Sequence, residues 1–428
     1  MQQVVRDDGV LGAVVVDDGL LGGRVAEEAG PGAGLFRVRA PHRCCHDRSA
    51  RFRSDHPFNP KRLELTVSLI EELGLLSDPA LRLVKPRMAS DEELSRVHDP
   101  AYIAAVKRLG QEGSLRDEEG WQWGLGTEDN PIFPGMHEAT ALVTGGTLQC
   151  AQLVMSGEVR RAFNVAGGLH HAHRAKASGF CVYDDLAVAI AWIREKYDVR
   201  VLYLDYDAHH GDGVQGLFYD DPNVLTLSMH ESGRYLFPGT GFVDELGEGD
   251  GYGYSLNLPV EPHTEDDSWM SLTNSLLPEV FEAFRPEVVV LQNGCDAHVL
   301  DPLTHLRCTT RIYEETVRLC CELADRHCEG RIVATGGGGY AIWQVVPRAW
   351  TLVWATLTGQ RVENRIPREW LQRWQGESPV LLPDRLRDET DEFPAVPQCD
   401  EVTATNRRML ESLRRTAMPL LRGWSLGF

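Results

Sequence analysis

The chain has 428 residues, 43% of them apolar, enough to bury a large core in one domain or several. Its 63 acidic against 43 basic side chains leave a formal charge of -20, which repels nucleic-acid phosphates and anionic membrane surfaces. No stretch approaches the roughly 18 apolar residues of a membrane span or the layout of a secretory leader, and the ten cysteines include no C-x-x-C spacing. The sequence therefore reads as a cytoplasmic protein with reduced thiols and neither a zinc ribbon nor a thioredoxin-like site.

Residues 1–45 are Gly-rich and lack a helical or strand period, apart from a crude echo between Asp7–Gly12 and Asp17–Gly22; a poorly ordered extension is expected. From Pro60 the apolar spacing predicts helices over 61–73, 91–109 and 137–155, the second opening on a capping box formed by Ser90 and Glu93. Short β-branched runs then alternate with helical stretches. Strands are predicted at 162–165, 201–204, 224–227, 288–291 and 332–334, and helices near 185–197, 266–284 and 310–327. That alternation predicts an α/β domain over 46–360 with a parallel sheet between helices. Residues 361–428 carry Pro367, Pro379, Pro383, Pro394 and Pro397 before a helix near 401–421, and are expected to pack on the main domain.

Four predicted strands run straight into polar or Gly clusters: Gly167-Gly168-Leu169-His170-His171, Asp205 to Asp212, Asn293-Gly294-Cys295-Asp296, and Gly336 to Tyr340. Ligands of open parallel sheets collect at the carboxyl ends of the strands, so these clusters should converge. Asp205, Asp207 and His209 alternate and share a face if the strand continues extended. With Asp296 arriving from another strand, Asp207 and His209 make an Asp2His metal set that leaves a position for water and substrate. Two carboxylates offset much of a divalent charge, so a separate base is needed, and His170 and His171 are the obvious suppliers. Taken singly, Asp-x-His, His-His and a Gly run all have ordinary structural explanations; their common placement is what points to chemistry. The Gly336–Gly339 run has no following Lys-Ser/Thr, which disfavours a phosphate cradle.

At these residues the chain resembles the zinc-dependent histone deacetylase superfamily, and within it the bacterial acetoin-utilisation deacetylases. The motifs are His56-Pro57-Phe58-Asn59-Pro60-Lys61-Arg62, Gly168–Ala172, Ser178-Gly179-Phe180-Cys181, Asp205–Gly213, Phe237–Gly241, Gly294–His298 with Asp301-Pro302-Leu303, and Gly336–Tyr340, spread over roughly 46–360. The resemblance implies the arginase/deacetylase fold, with an eight-stranded parallel sheet flanked by helices. It implies one Zn2+ held by Asp207, His209 and Asp296, with Asp205 orienting His170 and Asp212 orienting His171. His171 is then the general base and acid, His170 its electrostatic partner, and Tyr340 the donor to the acetyl carbonyl. Gly179, Phe180 and Phe237 match the acyl-lysine tunnel, Asp129 the rim carboxylate, and Arg62 the arginine of an internal acetate channel. A structural K+ is implied at the backbone oxygens of Asp205, Asp207, His209 and Met229 with the Ser228 hydroxyl, and a second near Phe218, Asp221, Val224 and Tyr254. The departure lies at Arg37–Cys45, where the family's first core strand would fall and the sequence is basic and interrupted by Pro41.

The expected function is hydrolysis of the acetamide of acetyl-lysine in protein substrates, by family analogy acetylated enzymes such as acetyl-CoA synthetase. An acetylpolyamine amidohydrolase uses the same groups on a free amine, and a catalytically silent acetyl-lysine-binding protein would keep the fold. No nucleic-acid or membrane partner is expected.

Overall fold

A computed structural model describes residues 56–112, 118–389 and 392–425, preceded by the backbone of three short strands. Of these, β1 (Val5–Arg6) and β2 (Gly9–Val10) pair with each other, whereas β3 (Val14–Asp17) joins the main sheet. The extension thus supplies a sheet strand where the sequence reading placed none. The basic segment 37–45 lies outside the described residues.

In chain order there follow α1 (Lys61–Glu72), β4 (Leu81–Val84), α2 (Asp91–Leu94), α3 (Pro100–Glu112), α4 (Glu118–Trp121) and α5 (Met136–Met155). The single helix predicted over 91–109 is split, because Pro100 lacks an N–H and disfavours the helical conformation at Asp99. Pro100 instead occupies the first position of α3, where no donor is required. The Ser90–Glu93 capping box forms as expected.

The alternating region runs β5 (Arg161–Asn164), α6 (Asp185–Lys196), β6 (Val201–Asp205), α7 (Asp212–Leu217), β7 (Val224–Glu231), β8 (Ser255–Val260), α8 (Asp266–Phe284), β9 (Val288–Gln292), α9 (Thr310–His327), β10 (Ile332–Thr335) and α10 (Val346–Leu357). The sheet order is β4-β3-β5-β10-β9-β6-β7-β8. Eight strands pair, but the all-parallel sheet expected above is confined to six of them, β5-β10-β9-β6-β7-β8; β3 runs antiparallel between β4 and β5. β8 escaped the sequence reading because Pro259 interrupts it, and an edge strand is where a missing ladder donor is tolerated.

Both faces of the parallel strands are buried, which is why they read as continuous apolar runs. Along β6, Val201 and Tyr203 face the side covered by α5 and α6, and Leu202 and Leu204 the side covered by α8, α9 and α10. The tail adds α11 (Arg368–Gln375), packed on α1 through Trp370 and Trp374, then α12 (Cys399–Thr416) and α13 (Met418–Ser425), which lie against β8 and α8. The cysteines among the described residues are all unbridged, and no helix there is long and apolar enough to cross a membrane.

Register aligns the strand ends. Asn164, Thr335, Gln292, Asp205, Ser228 and Asn257 form one polar rung across β5, β10, β9, β6, β7 and β8. β5, β6, β9 and β10 end at this rung, while β7 and β8 run on to Glu231 and Val260, and the loops that follow the four ending strands carry the candidate site residues.

Candidate metal centre

β6 ends at Asp205 and the chain continues as Tyr206-Asp207-Ala208-His209, while β9 ends at Gln292 and delivers Asp296 four residues later. Asp207, His209 and Asp296 are all buried, and one ligand atom from each lies within 4.8 Å of the others. Nδ1 of His209 faces both carboxylates, 3.0 Å from Asp296 Oδ2 and 3.2 Å from Asp207 Oδ1. The remaining oxygens are held by backbone and amide donors: Asp207 Oδ2 accepts from Gly338 N–H at 2.7 Å and Gln292 Nε2 at 2.9 Å, and Asp296 Oδ1 from Ala208 N–H at 2.8 Å. A Cβ on Gly338 would sit 2.2 Å from Asp296 Oδ2, so the glycine run lets its backbone reach the site.

Burial and the neighbouring Asp207 raise the Asp296 carboxyl to about 6. Burial alone would lower His209, but the two carboxylates hold it well above its ordinary value. Two buried carboxylates and an imidazole aimed at one point, with the surrounding oxygens already satisfied, match a divalent cation of the zinc type. The donor set therefore fits the metal.

Beside it stand two imidazoles in series. Nδ1 of His170 donates to Asp205 Oδ2 at 2.8 Å and Nδ1 of His171 to Asp212 Oδ1 at 2.7 Å, with the rings 4.0 Å apart. Asp185 fixes the loop that carries them, accepting from Leu169 N–H at 2.8 Å and Gly168 N–H at 3.1 Å. Burial opposes charge on both rings. For His170 the carboxylates of Asp205 and Asp207 overcome it and lift the group to about 9, whereas for His171 burial and the adjacent His170 bring it down to about 4. The pair is thus differentiated into a charged and a neutral member.

Tyr340 lies across the site, its ring 6.4 Å from that of His209 and 5.8 Å edge-on to Phe180. Phe237 approaches His171 at 5.0 Å from the other side, and a Cβ on Gly179 would strike both His171 and Phe237. Phe180 holds φ at 68°, directly after Gly179 at 50°, so the turn that presents the ring is left-handed. Arg62 is buried behind the glycine run, its Nη1 donating to the carbonyls of Gly337 at 2.8 Å and Gly339 at 3.2 Å, between the rings of Phe58 and Trp350. Asp129 is exposed, and its carbonyl meets His56 Nε2 at 3.3 Å, which in turn abuts Phe180. Ser228 sits one strand from Asp205 with its hydroxyl 2.8 Å from His230 Nδ1, and Met229 is buried beside it.

Residues 56–357 match the histone deacetylase domain. The chain belongs to the histone deacetylase family. It is 52% identical over 355 residues to the acetoin utilization protein AcuC of Bacillus subtilis, covering 83% of this chain and 91% of that one. To the AcuC protein of Staphylococcus xylosus it is 39% identical over 364 residues, covering 85% and 94%. Among solved structures it is similar to a histone deacetylase homologue of Aquifex aeolicus, with a TM-score of 0.74 and 31% identity over 84% of this chain and 96% of that one. As a histone deacetylase family member the chain is a hydrolase acting on amides, in a family typically dependent on zinc, and its substrate is acetylated.

Sequence reading passed over Gln292 and, although Asp301 stood in a quoted motif, gave it no role; both hold groups of this deacetylase centre. Gln292 bridges Asp207 and the Gly168 carbonyl while its Oε1 accepts Gly294 N–H at 2.7 Å. Its place as the last residue of a strand, just before Asn293–Asp296, was the available signal. Asp301 takes Tyr340 N–H on Oδ2 at 2.8 Å, and burial and Asp296 raise its carboxyl to about 8.

Proposed function

We propose that the chain removes the acetyl group from acetyl-lysine side chains of protein substrates, in a cytoplasmic setting. The observation that carries the reading is the convergence of Asp207, His209 and Asp296 beside a neutral His171 and opposite Tyr340. These three ligands would hold the Zn2+, whose chemistry when bound is Lewis-acid polarisation of a carbonyl and acidification of water. His171 is anchored through Nδ1, so Nε2 is the atom that takes a proton from the attacking water and returns it to the departing amine. His170, held charged between Asp205 and Asp207, supplies fixed positive potential where negative charge develops. Tyr340 donates its hydroxyl to the acetyl oxygen. Phe180 and Phe237 flank an apolar slot suited to four methylenes and a neutral amide, with Gly179 giving the room between them.

In the same reading Asp129 holds the substrate backbone at the rim and Arg62 serves the route by which acetate leaves. K+ would be held by the carbonyls of Asp205, Asp207, His209 and Met229 with the Ser228 hydroxyl. The resemblance to AcuC proteins suggests an acetylated metabolic enzyme, such as acetyl-CoA synthetase, as the partner. The deciding experiment is acetate release by the zinc-loaded protein from an acetyl-lysine peptide and from acetylspermidine. A kcat/KM higher for the peptide by tenfold or more is expected; a preference for acetylspermidine would reassign the substrate to small amines, and no turnover of either would sink the reading.

A further inference from the structure

A second buried charge cluster lies beside the site, and one member comes from beyond the matched domain. Asp388, in the tail between α11 and α12, has only 1% of its side chain exposed. Its Oδ1 lies 2.5 Å from Arg348 Nη1 on α10, and its Oδ2 accepts from His298 Nε2 at 2.9 Å and from Thr310 N–H at 2.8 Å. The tail is pinned around it: Asp388 N–H donates to Thr310 Oγ1 at 2.9 Å, and Arg387 forks onto Glu314 at 2.7 and 2.9 Å. Phe393 adds an edge-on contact with the His298 ring at 5.9 Å.

His298 stands two residues after Asp296. Its Nδ1 accepts Leu300 N–H at 3.1 Å, which places its proton on Nε2, toward Asp388. Its carbonyl accepts Asp301 N–H at 2.8 Å, and Asp301 Oδ2 in turn accepts Tyr340 N–H at 2.8 Å. A continuous series of hydrogen bonds therefore runs from the tail to the backbone of Tyr340. A buried Asp–Arg pair is a poor device for mere tethering, since apolar residues of equal volume hold a tail as well or better. What it provides is direction, because each oxygen of Asp388 has designated donors.

We propose that Asp388 is a positioning residue for the hydrolytic site, fixing the turn 298–301 through His298 and the Tyr340 backbone through Asp301. The proposal rests on the assignment of Tyr340 as donor to the acetyl carbonyl. The test uses the full-length zinc-loaded protein with Asp388→Asn, His298→Ala and His298→Gln. His298→Ala and Asp388→Asn should lower kcat on an acetyl-lysine peptide about tenfold, a small misplacement of a transition-state donor, with KM within about twofold. Zinc content should be unchanged. Hydrogen exchange at the Tyr340 amide should quicken by about tenfold while the amides of β6 keep their protection. His298→Gln, whose amide can donate from near the Nε2 position, should recover most of the kcat.

Should Asp388→Asn fail to fold, His298→Ala still decides, because it leaves the Asp388–Arg348 pair intact. Unchanged kcat, unchanged exchange at Tyr340, or a kcat loss matched by zinc loss in His298→Ala overturns the proposal. Full kcat in Tyr340→Phe overturns the underlying assignment instead, and the exchange measurement tells the two failures apart.

Discussion

Nδ1 of His171 meets Asp212 Oδ1 at 2.7 Å, and the carboxylate comes from the first residue of α7, so the helix start and the proposed base are a single unit. The bond fixes the tautomer and leaves Nε2 as the working nitrogen. His171→Ala should lower kcat by about 10² to 10⁴-fold, the usual contribution of a general base. Asp212→Asn, which keeps the size but loses the charge, should cost about ten- to a hundredfold. Circular dichroism should be unchanged in both. Full turnover by His171→Ala would remove it from the mechanism.

In the proposed mechanism Tyr340 acts on the carbonyl oxygen and His171 on the water and amine; their rings lie 6.4 and 6.0 Å from that of His209. Tyr340→Phe removes one donor and leaves the ring packing on Phe180. The expected loss is about 10² to 10³-fold in kcat with KM little altered, since the hydrogen bond strengthens only as charge develops. A change confined to KM would make Tyr340 a ground-state binder.

Much of this was legible because the polar rung that ends four strands is a one-dimensional signal: apolar runs stop at Asn164, Asp205, Gln292 and Thr335, and candidate site residues follow within a few positions. Asp207 and His209 were visible through alternation and Asp296 through its place after a strand end, while the role of Tyr340 came from the motif order. β8 was hidden by Pro259, and β3 by lying in a Gly-rich stretch whose pairing partners are distant in the chain. The Asp388–His298 contact joins residues 90 apart with no local pattern at either end. Long-range polar pairs of this kind have no period to read, so only the fold reveals them.

Gly338 offers a test of the metal assignment that leaves every ligand in place. A Cβ there would lie 2.2 Å from Asp296 Oδ2 and 2.7 Å from Asp207 Oδ2, distances no side chain can occupy without displacing both carboxylates. Gly338→Ala should therefore weaken zinc binding by at least about tenfold, comparable to the loss of an outer-shell partner. Gly216→Ala serves as control, since a Cβ at that helical position meets nothing within 4 Å. Metal analysis after dialysis against a chelator separates them: wild type and Gly216→Ala should keep zinc under conditions that strip Gly338→Ala. Equal retention in all three would place the metal elsewhere.

His98 makes the acid stability of the fold testable away from the metal. Its ring is buried, with Nδ1 donating to the His173 carbonyl at 3.0 Å and Nε2 accepting Asp184 N–H at 3.0 Å, and burial lowers its pKa to about 4. The unfolded chain takes up this proton near pH 6.5 and the folded protein refuses it until about pH 4. The contribution of neutral His98 is thus complete above pH 6.5 and is lost as pH falls through that window, on the order of 3 kcal/mol at most. His98→Gln keeps an amide donor and acceptor but does not titrate. It should be less stable than wild type at pH 7, and the gap in unfolding free energy should narrow steadily between pH 6.5 and 4.5 in denaturant titrations. A gap that stays constant across that range would show that burial of His98 is not what makes the fold acid-sensitive.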